Sequence, residues 1–241
     1  MAITKDVHGK LESAYVDAPF DKGKEALEKE GYRIISAEEN ARLRIQEGKD
    51  AFISRNGNWT KEGVIYVNKY ERYLTKLSPI MDNAEKATNC HKNHSEFYIN
   101  KEQIDKALSN SVKLKYDEKI PTNRLAENER TAFAFGRYVK QYGEFLKDAG
   151  INEITILTAD FEDNPFARQL WFGGLDYGSG LHGDGSGRDL GYDDRARGVR
   201  KASAEGASQK IKTYTLNDIS KALKKANLSG IEKVLLEKLK K

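Results

Sequence analysis

His182, Asp184, Arg188 and Asp189 bring a base, two carboxylates and a guanidinium into one short stretch, the side chains an acid–base enzyme would need. They lie in a glycine-dominated run, which lacks the surrounding contacts that hold catalytic geometry. An enzyme using this polar loop as an active-site lid is therefore the second reading of the chain, and no residue is assigned as catalytic. Cys90-His91-Lys92-Asn93-His94 is the other cluster with reactive types. His91 and His94 at i, i+3 would share a helical face with Cys90 beside them, which is part of a zinc site. No fourth ligand accompanies them, so neither a metal nor a cofactor is expected. A single cysteine excludes an internal disulfide and a zinc centre built on several thiolates. The glycine spacing fits neither a phosphate-binding loop nor a dinucleotide fingerprint.

The composition around these residues is itself a signal. From Gly173 to Ala196 the chain reads GGLDYGSGLHGDGSGRDLGYDDRA, without Lys, Glu, Gln, Met or Trp. Those five types make up about a quarter of the chain, so about six would be expected in this span. None of the five has a codon ending in a pyrimidine, whereas every residue type present has one. A process writing codons of the form NNY would leave this mark. A Gly-rich polar loop also avoids long side chains, so composition alone leaves both origins open.

Length and charge bound the rest. A chain of 241 residues accommodates one large domain with appendages and a sizeable core. It lacks a run of eighteen apolar residues, and its first residues, MAITKDVHGK, show no apolar signal region. A soluble protein is expected, cytoplasmic by default, with virion or surface association left open. The net charge of +4 is uneven: residues 212–241 hold eight lysines against Asp218, Glu232 and Glu237, leaving the body near neutral. A near-neutral body gives little support to nucleic-acid binding, which needs a basic face for phosphates. A nucleic-acid-associated role through the basic tail is the third reading.

The elements that must position these residues are partly readable. Residues 1–20 lack periodicity and are expected to form an irregular arm. A helix is expected over 22–30, a strand over 32–35, and a helix opened by Ser36 with Glu39 and stopped by Gly48. Asn56-Gly57 signals a turn before a strand over 64–67. Residues 70–98 read as loops with one helical turn, and Asn100 with Gln103 caps a further helix. One long helix is expected over 127–149, because Ala132, Phe135, Val139, Tyr142 and Leu146 recur at helical spacing before Gly150. Residues 154–157, 170–172 and 197–200 read as strands. Ile219, Ala222, Leu223 and Ala226, then Ile231, Val234, Leu235 and Leu239, mark two short amphipathic C-terminal helices.

The framing of the polar segment carries a resemblance. Ala167-Arg168-Gln169-Leu170-Trp171-Phe172-Gly173-Gly174 enters it, and Asp194-Arg195-Ala196-Arg197-Gly198-Val199-Arg200 leaves it. This resembles the closing part of the C-type lectin fold in its formylglycine-generating-enzyme-like branch. There an R-x-L-R-G-G-S-W strand leads into a long polar loop that returns through a G-F-R strand. Here Trp171 precedes the Gly pair, and Val199 stands where that branch has Phe. Enzymes of the branch depend on active-site cysteines, absent from the matching region, so oxidase activity is not carried over. Together with the NNY restriction, the chain resembles a variable protein of a diversity-generating retroelement. In that family a reverse transcriptase copies a template repeat with errors at adenines and overwrites a variable region of a C-type lectin domain. That region usually lies near the chain terminus, whereas residues 201–241 follow it here.

The resemblance implies an α+β fold with short mixed and antiparallel strands, long loops, packed helices and a C-terminal helical appendage. The lectin-like domain would span about 21–205, with a variable region at about 165–200 and the helical pair at 212–241. Leu175, Leu181 and Leu190 would be buried anchors. Gly173, Asp176, Tyr177, Ser179, His182, Asp184, Ser186, Arg188, Asp189 and Tyr192 would form the variable ligand-binding surface. Its chemistry suits that role, because tyrosines offer amphipathic area at low entropic cost and serines adaptable hydrogen bonds. The ligand expected is a protein or cell-surface molecule, and the protein is expected to be non-enzymatic.

Overall fold

Two long antiparallel strands, buried on both faces, organise the molecule. The computed structural model describes residues 1–161, 163–183, 190–191 and 194–201. Strands β1 (Thr4–Val7) and β2 (Leu11–Asp17) open the chain, followed by helix α1 (Phe20–Lys29) and the short β3 (Arg33–Ile34). Helices α2 (Ala37–Glu47) and α3 (Phe52–Arg55) lead into the hairpin of β4 (Asn58–Asn68) and β5 (Glu71–Thr75). Then come α4 (Ala84–Lys92), β6 (Phe97–Tyr98), α5 (Lys101–Leu108), β7 (Ser111–Lys113) and β8 (Glu118–Pro121). Helices α6 (Glu129–Phe135) and α7 (Val139–Asp148) precede β9 (Glu153–Leu157), β10 (Phe166–Phe172), β11 (Leu181–His182) and β12 (Arg195–Lys201).

The sheet runs β1-β2-β12-β4-β10-β11-β9-β8, with β5 and β7 branching from β4. Most pairings are antiparallel, and β11–β9 and β12–β4 are parallel. Side chains alternate across the two faces with period two. Val64, Tyr66, Phe166, Leu170 and Phe172 point to one side, where Phe135, Tyr142 and Leu146 of α6 and α7 cover them. Trp59, Ile65, Ala167 and Trp171 point to the other, against Phe20, Ala87, Phe97 and Leu190. The register shift between Gln169 and Trp171 opposite β4 lets Trp171 stand edge-on to Trp59 at 5.1 Å.

Several expectations need correction. Residues 4–7 and 11–17 are strands rather than an irregular arm, and β2 pairs along its whole length with β12. That pairing joins opposite ends of the domain, so local periodicity does not betray it. The expected helix over 127–149 is broken between α6 and α7 by a 3-10 turn at Gly136–Tyr138. Gly136 has φ +52°, and a Cβ there would lie 2.6 Å from Glu38 Oε2, so the helix turns aside to make room for α2. The stretch 70–98 holds β5, α4 and β6 rather than loops. Both capping boxes form as expected, Ser36 with Glu39 and Asn100 with Gln103. The expected C-terminal helical pair lies outside the described residues.

Candidate functional site

The polar segment is fastened to the scaffold at several points. After β10 the chain passes the buried Gly173 and Gly174. A Cβ on Gly174 would lie 2.0 Å from the Arg55 carbonyl, so only glycine permits this approach to α3. A 3-10 turn over Leu175–Tyr177 follows, and the Ser179 amide closes back onto the Gly174 carbonyl at 3.0 Å. β11 then lies parallel to β9, with the Gly183 amide donating to Leu157 at 2.9 Å. The Tyr66 hydroxyl donates to the Gly183 carbonyl and accepts from the Ala159 amide, both at 2.9 Å. Farther on, the Leu190 carbonyl accepts from the Phe20 amide at 2.9 Å, and the Asp194 carbonyl from the Ala18 amide at 3.0 Å.

Arg44 of α2 is the hub of this fastening. Its Nη1 donates to the Gly173 carbonyl at 2.8 Å, to Ser179 Oγ at 3.0 Å and to the Tyr142 hydroxyl at 3.2 Å. Its Nη2 donates to the Asn56 carbonyl at 3.3 Å, and its guanidinium lies 4.0 Å from the Phe172 ring centroid. Arg44, Tyr142 and Ser179 are all fully buried, and the two hydroxyls lie 2.5 Å apart. A buried cation bonded through Nη1 and Nη2 to neutral oxygens and set against a ring face holds several chain segments in one geometry. Ser179 has φ +55°, a conformation uncommon outside glycine, asparagine and aspartate. Sequence reasoning missed Arg44 and Tyr142 as parts of the site. A signal existed, because Arg44 follows the buried Ala37 and Ala41 at helical spacing and so occupies a core position.

A second buried arginine stands beneath the returning strand. Arg197 of β12 places Nη1 2.7 Å from both Asp6 carboxylate oxygens and 2.9 Å from Ser13 Oγ. Burial pulls its guanidinium below the usual value, the Asp6 carboxylate opposes this, and Arg195 and Arg44 add repulsion.

The candidate ligand-binding residues separate by environment. Asp176 is exposed and lies 3.7 Å from the Arg55 guanidinium. His182 is half-buried in β11, and Tyr177 lies in the 3-10 turn. Gly173 and Ser179, expected on the surface, are buried, because the Arg44 network claims both. Asp184, Ser186, Arg188, Asp189 and Tyr192 lie outside the described residues. Of the expected anchors, Leu181 and Leu190 are fully buried and Leu175 partly so. Within α4, His91 is buried, and His94 follows the helix with φ +54°. Among the described residues, no group of three His, Cys, Asp or Glu side chains gathers as a metal site would require. No helix among them is long and apolar enough to cross a membrane.

Short mixed strands, packed helices and a polar segment returning through the last described strand define an α+β protein of the C-type lectin fold. A solved structure, described as the accommodation of massive sequence variation in Nanoarchaeota by the C-type lectin fold, aligns with a TM-score of 0.56 at 19% identity. The match covers 78% of this chain and 96% of that one. No protein-family model and no curated protein matches the chain.

Proposed function

We propose that this protein is a non-enzymatic ligand-binding protein whose surface segment, about 173–196, is diversified by a retroelement through adenine-directed mutagenesis. The ligand would be a protein or cell-surface molecule, and diversification would vary which one is bound. One observation carries the reading. The stretch restricted to NNY-encodable residues coincides with a polar segment whose described parts are fastened to a buried scaffold. A surface that must tolerate many sequences needs variable positions held by a rigid framework, because core positions resist changes of volume. The neighbour of like fold, described in terms of massive sequence variation, supports the reading. So does the resemblance of the closing strands to the formylglycine-generating-enzyme-like branch. Ser179 and Gly173 leave the variable set and join the framework.

The gene and its surroundings provide the test. Codons for Ser186 and Arg188 should end in C or T; Asp, Tyr and His codons always do and are uninformative. A near-copy of the stretch encoding about 165–200 should lie nearby, differing where the copy has adenine, together with a reverse transcriptase gene. Purine-ended codons at Ser186 and Arg188 with no such repeat would remove the reading.

A further inference from the structure

A strip of rings and guanidinium groups borders the exposed Asp176. Phe52 and Arg55 sit three residues apart on α3, so one helical turn carries both on neighbouring positions. The Phe52 ring stacks on Tyr15 of β2, with centroids 4.7 Å apart and planes 20° from parallel. The Arg195 guanidinium lies 4.7 Å from the Phe52 ring and 4.8 Å from the Tyr15 ring, while pairing with Asp17 at 2.9 Å. Phe52 remains 39% exposed despite this packing. At the far end Arg55 meets Asp176 at 3.7 Å, with side chains 55% and 57% exposed.

We propose that Tyr15, Phe52 and Arg55 form the fixed part of the ligand surface, that the occupant is a protein, and that residue 176 controls Arg55. This rests on the reading of the segment as a diversified binding surface. Tyr15, Phe52 and Arg55 lie outside the restricted segment, so rewriting that segment leaves them unchanged. Asp176 and Arg195 come from within it and flank them on two sides. An exposed ring, Phe52, backed by the half-buried Tyr15 and set beside arginines has the composition of energetically dominant protein–protein contacts. The exposed Phe52 and Arg55 of α3 and the half-buried Tyr15 of β2 lie on an open surface rather than in an enclosed cavity, which suits a partner's surface rather than a small molecule. Asp176 occupies Arg55 only weakly, since an exposed pair at this distance contributes little. An acidic residue at 176 competes with, and repels, a partner's carboxylate at Arg55, whereas a neutral one leaves Arg55 to that carboxylate. The fixed strip supplies common affinity, and position 176 sets a preference for acidic or neutral partners.

The test uses the full chain displayed as a library randomised at positions 176, 177, 182, 184, 186, 188, 189 and 192. The library is selected on purified α-lactalbumin, an acidic protein. Among recovered binders, Phe52→Ala should weaken binding about tenfold or more, as expected for a central ring. Arg55→Ala should weaken binding by a similar factor only where residue 176 is not acidic, with the unfolding temperature unchanged. Binders indifferent to both substitutions would overturn the inference while leaving the diversified-surface reading intact. Sensitivity to Arg55→Ala regardless of residue 176 would overturn the control by 176. A library yielding no binder would overturn the underlying reading and this inference with it.

Discussion

Ser179 and Asp176 stand three residues apart in one polar segment yet obey different rules. Asp176 is exposed, and its pairing with Arg55 at 3.7 Å is open to solvent. Asp176→Ala should change stability by less than about 0.5 kcal/mol. Ser179 is fully buried, and its hydroxyl meets both Arg44 and Tyr142. Ser179→Ala leaves those two buried groups short of a partner, at a cost of about 1–3 kcal/mol. Denaturant unfolding of the two variants measures the contrast. Equal effects would mean that Ser179 is not part of the framework. The residue type gave no hint of this difference, since serine is common both in loops and in buried networks. What separates the two is the αL turn after Gly178, which swings Ser179 inward toward an arginine 135 positions earlier.

At the scale of elements, the β10–β4 pair and the α3 backbone form the floor of the segment. Trp171 packs edge-on against Trp59 and is 5% exposed. Trp171→Ala should cost about 3–5 kcal/mol through the cavity it leaves. Gly174→Ala should also destabilise strongly, because the added methyl meets a carbonyl of α3 that cannot swing away. Thermal unfolding of both variants checks this, and near-native stability of either would contradict the packing described. Elements with local signals were legible in the sequence. The boxes at Ser36 and Asn100 mark α2 and α5, and the apolar run Ile154–Leu157 falls within β9. Elements defined by distant partners were not. β1 and β2 carry no clean alternation, because charged residues such as Glu12 are buried against arginines of β12. The break at Gly136 was hidden too, since a helical repeat continues through it and only the approach of Glu38 decides the kink. The burial of the leucine anchors was legible in the sequence, and the Arg44 hub was not, because it depends on contacts from separate parts of the chain.

Across the whole molecule, the first seventeen residues are bound to the last described strand by charge as well as by the β-ladder. Arg195 pairs with Asp17, Arg197 with Asp6, and Arg200 with Glu12. The hydrogen bond from Arg200 holds the Glu12 carboxyl below its usual 4.5; burial opposes this, and the Arg200 charge adds to the lowering. A carboxyl whose folded value is depressed stabilises the fold above its unfolded value and loses that contribution as pH falls through the folded one. The unfolding temperature should therefore drop as pH falls below about 4.5. Glu12→Gln should be less stable at neutral pH and decline less steeply in acid. Circular-dichroism melts from pH 7 to 3 give the comparison, and parallel curves would rule out this linkage. The mooring of the polar segment has a different consequence. Arg44 grips the carbonyl of Gly173, Tyr66 that of Gly183, Phe20 that of Leu190 and Ala18 that of Asp194. These four acceptors are peptide oxygens, identical for all twenty amino acids, so at these points, unlike at Gly174 and Ser179, the scaffold holds the thread and not the letters written on it. A change of codon at an exposed position leaves every one of these attachments in place, and the chain can be given a new surface without having to learn to fold again.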